Sequence, residues 1–361
     1  GKGGTTSAPY SSGTKNVAIG YQALTAFTTG VNNVAVGTNA GDVLTTGANN
    51  ILIGLDIAGD YTTGDNSVAI GRQALNLEQT GHSTVAIGYR AAYKQRVNAT
   101  TYNTYVGTSA GQENTSGIEN IFIGYDAGRG QSGAHPDRGT FVGFRAGYGI
   151  LGNDSTLIGN DAGYNATGSY NTFVGSEAGR GGQTSAPFSS GVNNTALGYQ
   201  TLKGFTTGNN NTALGYKAAT AVTTGFNNVA IGIEAGVTMT DVDGTVLIGS
   251  SAGESINSSD ADGTVAIGYH AGKSITSGQK NTIIGYQAGD ALSVGDSNTI
   301  VGYQAGSSLA TSAEQGATLI GKDAGLSLTS GPYNTAIGRA ALRTATTANS
   351  TIAIGDSAAQ Y

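Results

Sequence analysis

The chain has 361 residues, of which 60 are Gly and 4 are Pro, with no Cys or Trp, 11% charged residues and a net charge of −6. Gly without an every-third-residue spacing excludes a collagen-like helix, and a regularly spaced 38% hydrophobic fraction excludes disorder. Mild acidity without clustered Lys and Arg excludes a nucleic-acid surface, and without a run of about 18 apolar residues no helix spans a membrane.

The first predicted element is a short strand at Val17-Ala18-Ile19, closed by Gly20. It returns as Val34-Ala35-Val36-Gly37, Ile51-Leu52-Ile53-Gly54, Val68-Ala69-Ile70-Gly71 and Val85-Ala86-Ile87-Gly88, and still stands near the end as Ile352-Ala353-Ile354-Gly355. Such self-similarity decides the architecture before anything else does. Twenty glycines mark the turns, and most neighbours are 17 residues apart, as Gly20, Gly37 and Gly54 are. The residue just before each Gly is Ile, Val or Leu, and the residue three before is Val, Ile or Thr. These two share a face of the strand, and the residue between them points the other way. That middle residue is also apolar, so the strand is expected to be covered on both faces. Val17 and Ile19 are assigned to the core of the coil, and Ala18 to a second buried face that implies a partner chain.

Downstream of each Gly, the third residue is Ala in 18 turns, with Ile57 and Thr201 the exceptions. Turn signals follow, such as Thr29-Gly30, Thr46-Gly47 and Thr207-Gly208. Asn then stands four before the next Gly in 12 turns, where stacked amides can bond from coil to coil. No segment keeps a 3.6-residue apolar period, so helix is not expected. The fold class read from this is all-β, a parallel β-solenoid of 20 coils of about 17 residues, with stability close to a sum over coils and their neighbours.

A longer period lies above the coil. Ser7-Ala8-Pro9-Tyr10-Ser11-Ser12-Gly13 returns 178 residues later as Ser185-Ala186-Pro187-Phe188-Ser189-Ser190-Gly191. Two ten-coil blocks are therefore expected, 1–178 and 179–361. The chain begins and ends near block boundaries without a capping element, as a slice of a longer tandem array or a subunit stacking end to end would.

The repeat Asn-x-Val-Ala-Ile-Gly-x-x-Ala, clearest at Asn50-Ile51-Leu52-Ile53-Gly54 and Asn66-Ser67-Val68-Ala69-Ile70-Gly71, resembles the YadA-like head repeat of trimeric autotransporter adhesins. The form at Asn211-Thr212-Ala213-Leu214-Gly215-Tyr216 and Tyr333-Asn334-Thr335-Ala336-Ile337-Gly338 is similar to phage tail-fibre repeats. The resemblance covers essentially all of the chain. It implies a left-handed parallel β-roll, three chains wound into a homotrimeric rod, and an extracellular place on a cell or virion surface. It also implies attachment to a host-surface or matrix receptor.

Candidate chemistry is sparse. Gly107-Thr108-Ser109-Ala110-Gly111 and Gly249-Ser250-Ser251-Ala252-Gly253 match a nucleophile elbow only on ordinary repeat columns, with no His arrangement among His82, His135 and His270. Gly268-Tyr269-His270-Ala271-Gly272-Lys273-Ser274 is one residue short of a phosphate loop and opens no helix. An enzyme is therefore not expected, and no organic cofactor. Asp241-Val242-Asp243-Gly244 and Asp260-Ala261-Asp262-Gly263 occupy matching places in successive coils. Stacking them would crowd four carboxylates, Asp241, Asp243, Asp260 and Asp262, which suits Ca²⁺, whereas splayed side chains would be solvated turns. Tyr269, Tyr286 and Tyr303 follow Gly in consecutive coils and form either a platform for sugar rings or a stabilising ladder. Arg90, Lys94 and Arg96, in a lengthened turn, are either contacts for anionic glycans or a solvated loop.

Overall fold

A computed structural model describes residues 11–130, 136–182, 189–310 and 316–360. The Ser-Ala-Pro segments 7–10 and 185–188, and His135, lie outside these. The chain divides into two compact units, Gly1–Ser176 and Glu177–Tyr361. The first carries ten three-residue strands, from β1 (Val17–Ile19) to β10 (Thr172–Val174); the second carries ten more, from β11 (Thr195–Leu197) to β20 (Ile352–Ile354). The only helical element among the described residues is a single 3₁₀ turn, Ser259–Ala261. Each unit is a parallel β-solenoid.

Successive strands within a unit pair in parallel and in register. Val17, Ala18 and Ile19 face Val34, Ala35 and Val36, and in the second unit Thr282, Ile283 and Ile284 face Thr299, Ile300 and Val301. Hydrogen bonding between coils continues around the turns. The Leu24 N–H donates to the Ala40 carbonyl at 3.1 Å, Thr28 to Thr45 at 2.8 Å, and Asn39 to Tyr21 at 2.8 Å. Backbone donors around the coil thus find acceptors in the neighbouring coil, and others, such as the Leu44 N–H on the Gly41 carbonyl, bond within their own turn, as buried turns require.

The bends are made by left-handed backbone at three recurring columns. In the first coil these are Gln22 (φ 56°), Leu24 (φ 48°) and Asn32 (φ 58°), and the columns repeat at Asn39, Gly41 and Asn49. A non-glycine residue pays roughly 1–2 kcal/mol in that region, so the coil persists because neighbouring coils hold these turns. The strand-closing glycine is fixed by a different constraint. A Cβ on Gly37 would lie 2.0 Å from the Gly54 carbonyl oxygen, and one on Gly285 would lie 2.3 Å from that of Gly302. Coils approach so closely there that no side chain fits.

The assignment of the two strand faces is the reverse of the sequence expectation. The middle residue enters the coil interior: Ala35, Leu52, Phe122, Phe141, Leu247 and Ile283 are all fully buried. The flanking residues point outward, with Ile53 and Ile123 each more than a third exposed. The reason is volume. The interior is bounded by the Ala column, where Ala40, Ala74 and Ala91 are buried, and by a third inward column that includes Leu44, Val222 and Leu292. One apolar residue from the strand completes it.

The Asn column closes the last corner. Asn50 Nδ2 donates to Asn33 Oδ1 at 3.1 Å and to the Gly64 carbonyl at 2.8 Å, while Asn33 Oδ1 accepts the Asn50 N–H at 3.0 Å. Asn211, Asn228 and Asn298 repeat this in the second unit. The amide ladder expected from the sequence is thus a buried one.

Candidate interaction surfaces

The outward strand residues are joined by a third column, the residue after the closing Gly. Together they make an apolar face along each unit: Ile53 with Leu55, Ile123 with Tyr125, Leu214 with Tyr216, and Ile284 with Tyr286, all between 37% and 49% exposed. Ten strands about 4.8 Å apart, and three outward columns about 7 Å apart, give each unit a face on the order of 700 Å², part of it polar, since Thr opens ten of the strands, such as Thr140 and Thr282. The largest apolar patch of an ordinary monomer is about 300–600 Å², and a stable interface buries about 800 Å² per partner. Charged residues are almost absent from the face; Arg72, Lys322, Arg339 and Asp356 interrupt the third column.

The tyrosines of that column stack upon one another. Tyr269 and Tyr286 have ring centroids 5.2 Å apart at 16°, and Tyr286 and Tyr303 are 5.2 Å apart at 8°. His270 packs on Tyr269 at 3.8 Å, and the Lys322 ammonium lies 5.6 Å from the Tyr303 centroid. The ring faces a sugar would need are therefore taken, and the ladder reading is the one the geometry favours.

The basic turn is largely satisfied internally. Arg90 Nε donates to Gln73 Oε1 at 2.9 Å, and its guanidinium lies 5.2 Å from the Tyr89 ring and 5.1 Å from the Tyr93 ring. Lys94 pairs with Glu113 at 2.6 Å. Arg96 is exposed and, with Leu77, Lys94 and Thr115, lines a small cleft of about 220 Å³. Arg90 is not among the residues that line this cleft.

The four-carboxylate cluster is not assembled. Asp243 and Asp262 do stack, but as acceptors for the backbone: Asp262 Oδ1 accepts the Asp243 N–H at 2.8 Å, and Asp243 Oδ1 accepts that of Phe226 at 2.9 Å. Asp241 Oδ1 is held by the Thr240 hydroxyl at 2.9 Å, and Asp260 sits in the 3₁₀ turn. Among the described residues no three acidic or His side chains form a group that could hold a metal. The pattern belongs to a column that serves the coil generally: Asp65, Asp137, Asn209 and Asp296 accept N–H groups from the preceding coil in the same way. Burial, and then the neighbouring Asp262 and Asp241 charges, hold the Asp243 carboxyl above its ordinary range.

Sequence reasoning missed a surface notch at the left-handed column five before the closing Gly, where Lys280, Ser297, Gly316 and Tyr333 follow one another. The available signal was a Gly set between larger residues in a column otherwise rich in Asn. No protein-family model matches the chain, and no curated protein matches it.

Proposed function

We propose that the chain is a structural and adhesive protein: a rod of 17-residue coils that trimerises with copies of itself and works by multivalent attachment, without a catalytic step. The observation that carries this reading is the outward face, rich in exposed apolar residues and poor in charge. Its area and continuity fit a protein partner with the same repeat, and a second and third copy of this chain present a matching surface in matching register. Left-handed winding, three chains to a rod and a place on an extracellular surface fibre are what the resemblance to YadA-like heads adds. Weak contacts repeated along a rigid scaffold and across chains give avidity without a single strong site.

A virion fibre is the second reading. It is favoured by the Gly-Tyr form of the repeat at Gly198-Tyr199, Gly215-Tyr216, Gly285-Tyr286 and Gly302-Tyr303, which resembles phage tail-fibre repeats. An end-to-end filament is the third. Sedimentation over a concentration series separates the filament from the other two: closed trimers give one limiting mass, and filaments give a mass that keeps rising. The flanking gene sequence separates those two, by a coiled coil and barrel or by a fibre tip.

A further inference from the structure

The notch at the left-handed column lies in the second unit and measures about 370 Å³, lined by Gln279, Lys280, Asp296, Ser297, Gly316 and Tyr333. It exists because two small residues, Ser297 and Gly316, separate two large ones along consecutive coils. The wall at one end is Tyr333, 60% exposed, with no ring or cation stacked on it among the described residues. This sets it apart from the ladder tyrosines, whose faces are covered. Gly316 keeps that wall accessible: a Cβ there would lie 3.4 Å from Tyr333 Cδ1 and fill the space beside the ring. At the other end Lys280 is exposed, and it makes no ion pair among the described residues. The side is polar. Asp296 spends one oxygen on the Gln279 N–H at 2.9 Å, which leaves the other for a ligand hydroxyl.

An aromatic wall, an unpaired ammonium opposite it and a carboxylate with a hydroxyl between them form a complementary set. The apolar C–H face of a pyranose packs on an aromatic ring, its hydroxyls need acceptors and donors, and a carboxylate on the ring answers a cation. We propose that this notch binds a hexuronic acid unit of an acidic polysaccharide, with Tyr333 under the sugar ring, Lys280 on its carboxylate, and Asp296 and Ser297 on its hydroxyls. The site deepens the adhesive part of the reading above and does not depend on the assembly part, because none of its residues lies on the outward apolar face. Copies repeated across an assembly would turn a weak monosaccharide contact into useful avidity.

The test is a titration of the full chain with methyl glucuronide and with methyl glucoside, followed by saturation-transfer NMR. A single sugar in an open notch should bind with a Kd of about 1–10 mM. Tyr333→Ala should weaken both sugars about fivefold or more, and Lys280→Met should erase the preference for the glucuronide. Both side chains are exposed, so thermal melts of the variants should match the parent. The proposal is overturned if the glucuronide shows no saturable binding, if both variants bind as the parent does, or if an acidic peptide binds at the notch and the sugar does not. Sedimentation of the same samples reports assembly separately, so the two readings fail by different measurements.

Discussion

The two units share one backbone plan and fill it differently. In the first unit several coils are filled with aromatic and polar side chains. Phe122 and Phe141 stack 4.5 Å apart at 5°, and Tyr105 packs on Phe122 at 5.2 Å. Asn114 Nδ2 donates to the Tyr105 hydroxyl at 2.9 Å, and burial pushes that phenol far above its ordinary range. Gln95 Nε2 donates to Thr84 Oγ1, and Tyr61 reaches the Gly81 carbonyl at 2.9 Å. Glu78 is fully buried, with Oε1 accepting the N–H groups of Gln79, Thr80 and Gly81 and Oε2 that of Val97. In the second unit the positions 178 residues on are Ile283, Ile300 and Leu319 for the three rings, Met239 for Tyr61 and Ile256 for Glu78. All five are buried. The backbone columns are thus the invariant part of the coil, and the interior accepts either chemistry if its volume is filled and its polar atoms are bonded.

Substitutions can break this comparison in order of expected size. The closing glycine is common to both units, so Gly71→Ala and Gly268→Ala should each cost more than about 3 kcal/mol, since their Cβ atoms would lie 2.6 and 2.3 Å from the next coil's carbonyl oxygen. Equal losses of the folded fraction in urea melts are expected; a tolerated alanine in either unit would show that the coils are farther apart than described. Interior changes should then separate the units. Glu78→Gln puts an amide NH₂ against the Val97 N–H and should cost about 1–3 kcal/mol, whereas Ile256→Val should cost about 0.5–1.5 kcal/mol. If Glu78→Gln were neutral, the polar interior would be incidental.

Smaller effects come from the surface. Tyr286→Ala removes the middle rung of the ladder and should cost about 0.5–1.5 kcal/mol beyond the lost area, read as a lower melting temperature with an unchanged circular dichroism spectrum. The smallest is pH-dependent. A carboxyl whose folded pKa lies above its unfolded value costs stability above the folded value, and that cost vanishes as pH falls through it. Asp243 is such a group. Asp243→Asn keeps the acceptor for Phe226, so it should stabilise the second unit at neutral pH by less than about 0.5 kcal/mol, with no gain in acid. Glu177 is the opposite case, held below its ordinary range mainly by the Lys203 hydrogen bond. Its contribution is present at neutral pH and lost as pH falls through that lowered value, so Lys203→Met should cost stability at neutral pH and nothing in strong acid.

Much of the fold was legible in the sequence because one short motif repeats. The strands, their parallel stacking, the Gly and Asn columns and the near absence of helix all follow from residues that recur at one spacing. Which strand face turns inward was not legible, because Val17, Ala18 and Ile19 are all apolar and a two-residue period alone cannot say which side is the inside. The Asp243 and Asp262 pairing was foreseen, but their role was not, since a carboxylate that accepts a backbone N–H and one that awaits a cation look alike in a sequence. The notch was hidden for a third reason: it is made by the small size of Ser297 and Gly316 between coils, which only stacking reveals.

The proposed assembly requires the outward face to be an interface between copies of this chain. Sedimentation equilibrium of the chain and of an Ile123→Lys, Ile284→Lys variant tests it directly. The parent is predicted to sediment at three times its 35.9 kDa mass, and the variant, with charges set on the face of both units, to fall to a folded monomer. A parent that is a monodisperse monomer at micromolar concentration would contradict the assignment.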